Sequence, residues 1–429
     1  MSATVSIYFN GISENVTNFV KNVTIRRGRS RELDTFTSGS ASFNLNNHNR
    51  TFDPLFTAGP YFGKIRPRLR VTIVKDEISL FDGFIEDWNF NYDVDGNSIA
   101  TVACIDGLAL LSQTVLSEFV NTQNTPAERI EMVINRDEVN YQGNINLDPG
   151  FNVMQADTVA SDTNTLSYLQ RVTDTDLGRL FVDGAGVLRY RDRTSGILER
   201  SRVVFGDVDS DYIQQISLLS QASLWFDASE PDSVRVDAAS IGQTIVQDAV
   251  LWFDASDPDY VAPVIDFAGI EIEFGSEFLF NRVSVTRKDG QPQVTGDSLS
   301  QVVYGIRALA KSDLLFISDA EAAQYSDYLT SIYKDPDIRV ASHTVLIHGL
   351  SVLHRRYMQR LEIGDVVRTV WKPNEVGVAI DRDSIVEGIE HSIGLGTHSI
   401  KLQLTPFSRA GFILDDPNRG LLDTSEMTY

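Results

Sequence analysis

Cysteine is almost absent from this sequence, which has one, Cys104, in 429 residues. A single thiol excludes an internal disulfide framework, and the apolar run around it, residues 99–105, predicts a buried and unreactive side chain. Long apolar runs are absent too, since no window reaches the ~18 residues that a membrane-spanning helix needs. The first residues also lack the basic head and apolar block of a signal peptide. We therefore expect a soluble protein that is made in a cytoplasm.

Motifs that signal catalysis or cofactor binding are missing as well. The sequence has no glycine-rich phosphate loop, no paired-cysteine motif and no Gly-x-Ser-x-Gly elbow. Its six histidines are not accompanied by acids in a metal-ligand spacing, although His391 and His398 can pair across a hairpin. Asp381 and Asp383 could flank a glycosidic bond, but nothing distinguishes them from turn residues. The sequence therefore predicts no catalytic residue, no metal site and no cofactor.

Positive charge is scarce overall but is concentrated near the start of the chain. The net charge is −22, yet residues 1–75 carry 11 Lys and Arg against 4 Asp and Glu. Residues 205–280 carry 15 acids against Arg235 alone. An acidic surface favours solubility, and no groove-reading motif accompanies the basic segment, which argues against nucleic-acid binding. We interpret four arginines as candidate assembly contacts to an acidic neighbouring subunit: Arg26, Arg27, Arg29 and Arg31.

The stretch that follows these arginines best indicates the fold class. In residues 40–46, Ala41, Phe43 and Leu45 alternate with polar neighbours, which is typical of a strand with one dry face. Asparagine-rich turn residues come next, and a proline closes the segment. Similar short segments fill residues 1–112. Many short strands with polar turns predict a closed barrel or a sandwich in this part of the chain.

A segment of mixed character occupies residues 113–202. Thr125 followed by Pro126 predicts a helix N-terminus, because threonine caps the first turn and proline fits its first position. A further helix is predicted at 163–172, where apolar residues at three-residue spacing form one face. A β-hairpin is predicted at 179–190. These helices and the hairpin predict an α/β domain for this segment.

An acidic insert is predicted at residues 218–264. Within it the phrase Leu-Trp-Phe-Asp-Ala-Ser occurs twice, which places Trp225 and Trp252 27 residues apart. Two copies are too few for a solenoid, which needs at least ~3 repeats. The two tryptophans either pack into a small local core or lie exposed, where their rings could stack on a sugar. They are the candidate partner or glycan contacts of this chain.

Residues 265–408 alternate again and predict further strands and one helix. This helix has Ala322, Tyr325 and Leu329 on one face, and a hairpin is expected near the end of the domain. Residues 409–429 are polar and form a C-terminal tail for which we expect loose order.

Short phrases along the chain resemble, in their order, the tail hub (minor tail) proteins of long-tailed bacteriophages. Arg-Glu-Leu-Asp and Phe-Thr-Ser-Gly occur in the first segment, and Leu-x-x-Leu-Gln-Arg-Val occurs in the mixed one. Leu-Phe-Asn-Arg-Val-x-Val-Thr-Arg, Tyr-Gly-Ile-Arg and Leu-Glu-Ile-Gly-Asp-Val-Val follow after the insert. The resemblance covers residues 1–217 and 265–408, and the insert departs from the pattern.

The resemblance implies a mainly β fold with α+β parts. One β-barrel of the tail-hub type would occupy residues 1–112, with a strand from 203–217 as a candidate to complete it. The other barrel would occupy 265–408, and 113–202 would be a lateral α/β domain. Three such chains would form a homotrimeric ring with pseudo-sixfold symmetry.

The resemblance also implies a structural virion protein at the distal end of the tail. Such a ring would join the tail tube or a distal tail protein to a tip or central fibre protein, would contact the tape measure protein, and would let DNA pass during ejection. No enzymatic activity is expected. Two alternatives stay open: a tail-associated receptor- or glycan-binding protein that uses Trp225 and Trp252 and, with less support, a cell-wall hydrolase.

Overall fold

The computed structural model describes residues 3–31, 33–94, 97–195, 201–206 and 262–407. Within these ranges the chain is mainly β, as predicted, with 24 strands and six helices. Of the predicted acidic insert, residues 218–261 lie outside the described ranges, as does the whole predicted tail at 409–429.

The first strand group precedes residue 106. Its seven strands are β1 (Thr4–Phe9), β2 (Ile12–Asn15), β3 (Val20–Gly28), β4 (Ser40–Asn46), β5 (Arg70–Lys75), β6 (Ile78–Tyr92) and β7 (Ser98–Ile105). Neighbouring strands pair in the order β3, β4, β7, β6, β5, β1 and β2. Strand β4 has the predicted bounds, and Ala41, Phe43 and Leu45 are buried on one of its faces. The strand prediction for this stretch is confirmed.

This group has a hydrophobic core of its own. Side chains alternate between the two faces of a strand, so the apolar sets of successive strands meet on one side of the sheet. Phe43, Phe52 and Phe81 are among the largest fully buried side chains in this core. Burying one such side chain contributes ~1.5–3 kcal/mol. Phe52 lies in the loop after β4 and stacks on Trp88 of β6, with 6.4 Å between ring centroids, so the loop is held against the sheet.

The middle unit corresponds to the predicted α/β segment. Its elements are α1 (Leu108–Ser112), β8 (Val115–Leu116), β9 (Phe119–Asn121), α2 (Pro126–Ile134), β10 (Ile145–Leu147), β11 (Asp157–Val159), β12 (Thr163–Asn164), α3 (Thr165–Asp176), β13 (Arg179–Val182) and β14 (Leu188–Arg191). Helix α2 begins at Pro126, as predicted. The Thr125 hydroxyl accepts a hydrogen bond from the Glu128 backbone N–H at 3.3 Å, and the Glu128 carboxylate accepts one from the Thr125 N–H at 2.9 Å. This reciprocal pair is a capping box.

The remaining elements lie after residue 202. They are β15 (Val203–Phe205), β16 (Val264–Ile265), β17 (Gly269–Glu273), β18 (Arg282–Arg287), β19 (Gln293–Gly296), α4 (Ser298–Tyr304), β20 (Ala308–Leu314), α5 (Asp319–Tyr333), β21 (Arg339–Leu346), α6 (Val352–Arg360), β22 (Val366–Trp371), β23 (Ile380–Ile393) and β24 (His398–Pro406). Strands β15, β16, β17, β21, β22, β23 and β24 form the second strand group. The predicted final hairpin is confirmed as the antiparallel pair of β23 and β24.

Strands β18, β19 and β20 form a separate three-stranded sheet, although the sequence placed them in the second barrel. Val283 and Val285 of β18 pack against the predicted helix face, which is buried as Ala322, Tyr325 and Leu329 of α5. Strand β18 pairs in parallel with β20. A parallel pair needs a crossover connection, and α4 lies within it. These elements therefore make a small unit with its own core.

Strand β3 connects the two strand groups. It pairs with β4 on one side and with β23 on the other, both times antiparallel. The groups thus form one 14-stranded sheet whose strand order is open at its ends among the described residues, instead of the two separate closed barrels expected. Pairing β3 with β23 satisfies backbone N–H and C=O groups that the edge of an isolated group would expose.

A strand from residues 203–217 was a candidate to complete the first barrel, and residues 203–206 of this segment are described. Strand β15 in this part pairs in parallel with β22 and β16, so it belongs to the second strand group. Val203 and Phe205 are fully buried in the core of the second strand group. A run of three apolar residues has no feature that tells which sheet it joins, so only the structure assigns it.

Candidate assembly interface

The candidate contact arginines lie on β3 and just after it, next to glutamates of the same chain. Arg26 stands opposite Glu390 in the pairing of β3 with β23, and its guanidinium donates to that carboxylate at 3.0 Å. Arg31 pairs with Glu277. Both pairs are exposed to solvent, and exposed ion pairs contribute roughly 0–1 kcal/mol each. These two arginines therefore add little to the stability of the contact between the strand groups.

Arg29 belongs to a buried ion pair in the same place, centred on Glu387 of β23. The Glu387 side chain is 1% exposed and accepts hydrogen bonds from Arg29 at 2.9 Å and from Arg179 at 2.8 Å. Burial acts to raise the pKa of this carboxyl, but the two guanidinium groups outweigh it and hold the pKa below its ordinary value. Because Arg179 lies on β13, one carboxylate links the middle unit to both strand groups.

Arg27 is the fourth candidate, and it is buried. Its guanidinium donates to Glu362 at 2.5 Å. Next to it, the Asp106 carboxylate accepts hydrogen bonds from the backbone N–H groups of Gly39 at 2.7 Å and Leu108 at 2.9 Å. Burial, only partly offset by these bonds and by the charge of Arg27, raises the pKa of Asp106 to about 7. We use the name β3–β23 seam for the pair Arg27–Glu362, the hydrogen bonds of Asp106 and the pair Arg29–Glu387, which lie beside the pairing of β3 with β23.

The acidic partner that the sequence placed on a neighbouring subunit is therefore present within this chain. Arg29 and Glu387 are 358 residues apart, a separation at which no sequence pattern connects them. Contact of these arginines with a second chain stays a prediction. The other candidate contacts, Trp225 and Trp252, lie outside the described residues.

The residues considered for metal binding and hydrolysis have other roles. His391 Nδ1 and His398 Nε2 lie 3.1 Å apart across the β23–β24 hairpin, which confirms the predicted pairing. Burial lowers the pKa of both histidines. Asp381 accepts hydrogen bonds from an arginine on β22, and Asp383 accepts one from a serine next to β15. Across the described ranges, no group of three His, Cys, Asp or Glu side chains could hold a metal ion.

A cluster of exposed apolar side chains on and after α4 forms one candidate contact surface. Leu299, Val302, Val303 and Ile306 are 79%, 85%, 69% and 62% exposed. An open groove of about 210 Å³ runs beside the helix, and Asp335 contributes to its rim. Clustered apolar exposure of this kind marks interaction sites in soluble proteins. We call these four apolar residues together with Asp335 the α4 surface.

A second apolar cluster lies at the end of the sheet where β23 turns into β24. Leu395 in that turn is 81% exposed, and Leu346 at the end of β21 is 47% exposed. Val352 and Leu353, in the first turn of α6, are 62% and 60% exposed. Strand β21 pairs with β24, and the short turn after β21 contacts both β24 and α6, so the four side chains lie at the same end of the sheet.

Helix α6 gives this second cluster a positive charge. It carries Arg355, Arg356 and Arg360 and no acid, within a chain whose net charge is −22. Arg356 lies 3.5 Å from the exposed Glu77, whereas Arg355 has no ion-pair partner in the part of the chain that the structure describes. We call Leu346, Val352, Leu353 and Leu395, together with Arg355 and Arg356, the α6 surface.

Neither α4 nor α6 was predicted from the sequence. The only local signal for each is its N-cap, where the side chains of Asp297 and Ser351 accept backbone hydrogen bonds from Ser300 and His354. Both helices are short and their first apolar residues face solvent, so no buried apolar face repeats at helical spacing. Helix prediction from the spacing of buried apolar residues therefore misses both helices.

None of the described helices is long and apolar enough to cross a membrane. No family model matches the sequence, and no curated protein matches it either.

The structure is similar to solved structures of two tail proteins. The 43 kDa tail protein of prophage MuSo2 from Shewanella oneidensis superimposes with a TM-score of 0.55 at 14% identity, covering 95% of this chain and 98% of that one. The tail protein from Neisseria meningitidis MC58 superimposes with a TM-score of 0.57 at 11% identity, covering 94% of this chain and 96% of that one. At such identities the likeness shows the fold. The chain therefore has the fold of these tail proteins, and the resemblance to phage tail hub proteins inferred from its sequence is confirmed at the level of the fold.

Proposed function

We propose that this chain is a structural virion protein, the hub that forms a ring at the distal end of a phage tail. The observation that carries the proposal is the fold shared with two tail proteins over at least 94% of each chain. The order of the hub-like sequence phrases, on both sides of the insert, supports the same function independently.

The architecture suits a part that bears load in an assembly. Each strand group has its own core, and the β3–β23 seam fixes one group against the other through backbone pairing and a buried ion pair. In this proposal the two strand groups of each chain take equivalent places, and three chains supply six such groups around a lumen through which DNA passes. One face of the ring meets the tail tube or a distal tail protein, and the other meets a tip or central fibre protein. The tape measure protein ends at the same ring.

The proposal is tested by the mass of the purified protein, measured by light scattering coupled to size exclusion. A trimer is expected, at three times 47.8 kDa, or about 143 kDa. Electron micrographs of this species should show rings, alone or stacked on the distal tail protein. A protein that stays monomeric with the distal tail protein present, and that is absent from purified tails, would contradict the proposal.

A further inference from the structure

We propose that the α4 surface of one copy of this chain binds the α6 surface of the next copy. This inference rests on the proposed ring and names the contact that closes it. The two surfaces belong to different units of the chain, the α4 surface to the small three-stranded unit and the α6 surface to the second strand group.

Apolar exposure supplies the first argument. A single exposed leucine or valine is ordinary on a protein surface, but a cluster of four is not. The α4 surface and the α6 surface each hold four such side chains, which are 47% to 85% exposed. Covering one of these side chains contributes ~1.5–3 kcal/mol, so burying both clusters supplies a substantial part of the free energy of association. The groove beside α4 is open enough to receive a protruding side chain such as Leu395.

Charge decides which surfaces meet. The charged residues that line the α4 groove are Asp297, Asp335 and Lys334. Lys334 pairs with Asp297 at 3.1 Å, which leaves the carboxylate of Asp335 to make the groove acidic. Helix α6 carries three arginines and no acid. Two α6 surfaces would repel each other, as would two acidic rims, whereas an α6 surface and an α4 surface attract. Neither Asp335 nor Arg355 has an ion-pair partner within the described ranges, so each can pair with the other across the contact.

The contact is therefore heterologous, with a different patch on each side. Heterologous contacts form closed rings when the rotation between copies closes. A twofold contact would use one patch twice and would stop at a dimer. The opposite charges of the two surfaces thus favour a second copy of this chain as the occupant, and a head-to-tail arrangement of the copies.

Two variants test this arrangement. The first, Leu299→Asp with Val302→Asp, blocks the α4 surface, and the second, Leu353→Asp with Arg355→Glu, blocks the α6 surface. Each variant alone is expected to be monomeric by light scattering. Their equimolar mixture is expected to form a dimer of twice 47.8 kDa, or about 96 kDa, and no larger species. The reason is that the mixture restores one intact pair of surfaces, while the other surface of each variant stays blocked.

Matched substitutions outside both surfaces serve as controls. Leu55→Asp replaces an apolar residue that is 81% exposed in the loop after β4, and Arg66→Glu reverses an exposed arginine in the same loop. Both should keep the mass of the wild-type protein. The variants at exposed positions should melt close to wild type, because surface substitutions usually change stability by about 0.5 kcal/mol or less. Arg355 is half-buried, so the melting temperature of the second variant shows whether it is folded before its mass is interpreted.

The possible results distinguish a failure of this contact from a failure of the proposed ring. If both blocked variants keep the wild-type mass, the ring stands and this contact is wrong. If both are monomeric but their mixture forms no dimer, the contact is not heterologous and the inference is wrong. If the variants keep their mass and lose only binding to the distal tail protein, that protein is the occupant instead. A wild-type chain that stays monomeric with the distal tail protein present, and that is absent from purified tails, contradicts the ring and this contact together.

Discussion

Arg179 on β13 and Glu387 on β23 form an ion pair of 2.8 Å in the protein interior, although 208 residues separate them in sequence. Arg29, just after β3, binds the second oxygen of the same carboxylate. One buried group thus holds the middle unit and both strand groups together. The relative placement of these parts depends on a few charged residues as well as on the sheet.

We expect Glu387→Gln to destabilise the protein strongly. The substitution preserves the shape of the side chain but removes the negative charge that two guanidinium groups share, and Arg29 and Arg179 are only 16% and 12% exposed. Breaking a buried pair in this way costs ~3–5 kcal/mol. Glu390→Gln is the matched control on the same strand, and its pair with the exposed Arg26 contributes at most about 1 kcal/mol. Urea unfolding measures both, and equal losses would contradict a special role for the buried pair.

Asp106 predicts a pH dependence of stability. In the unfolded chain an aspartate titrates near ~4, whereas burial raises the pKa of Asp106 to about 7 in the folded protein. The folded state therefore keeps a proton that the unfolded state has already lost. The contribution of this group is complete below ~pH 4 and falls as the pH rises to ~7, by up to about 4 kcal/mol.

The variant Asp106→Asn isolates this effect from the other groups that titrate. Asparagine stays neutral at every pH and keeps one oxygen that can accept from the N–H of Gly39 or Leu108. The free energy of unfolding of the variant, relative to wild type, is expected to increase between ~pH 4 and ~pH 7. Urea titrations at several pH values measure it. Parallel curves for the two proteins would show that Asp106 is ionised in the folded state over this whole range.

The duplicated tryptophan motif distinguishes the structural function from a receptor-binding one. If the chain acts only as a hub, replacing Trp225 and Trp252 by alanine should leave both tail assembly and adsorption of the particles to cells unchanged. Particle counts and adsorption assays measure the two separately. Intact particles that no longer adsorb would favour glycan or receptor binding by the insert.

Features that depend on neighbouring residues were predictable from the sequence. Strand β4 followed from the alternation of Ala41, Phe43 and Leu45, and the start of α2 followed from Thr125 and Pro126. In each case a few adjacent side chains contain the information, since one face is dry or one cap is satisfied. The final hairpin was predictable for the same reason.

Features that depend on distant residues were not predictable. The pairing of β3 with β23 joins segments more than 350 residues apart, and any of several alternating strands could have satisfied the same edge. The arginines of β3 were recognised as contact residues, but their glutamates could not be chosen from the 59 acids of the chain. The exposed apolar residues of α4 and α6 follow no buried-face pattern. Only the fold shows that they cluster.

Gly28→Ala is expected to disrupt the contact between the two strand groups. Gly28 stands opposite Gly388 in the pairing of β3 with β23, and its φ is +88°. A Cβ at this position would lie 2.2 Å from the carbonyl oxygen of Glu387, so the strands would have to separate where the buried ion pair forms. Gly11→Ala is the matched control, because its φ of +83° is equally unfavourable but a Cβ there meets nothing within 4 Å.

The control isolates the cost of the backbone conformation, about 1 kcal/mol. If Gly28→Ala lowers the free energy of unfolding by more than this, the excess measures the clash at the β3–β23 seam. We expect the excess to be more than about 2 kcal/mol, as for other disruptions of a tightly packed interior. Urea unfolding measures both variants, and hydrogen exchange at the amides of β3 and β23 locates the change. If the two variants lose the same stability and β3 stays protected, the close approach of the two glycines does not hold the strand groups together.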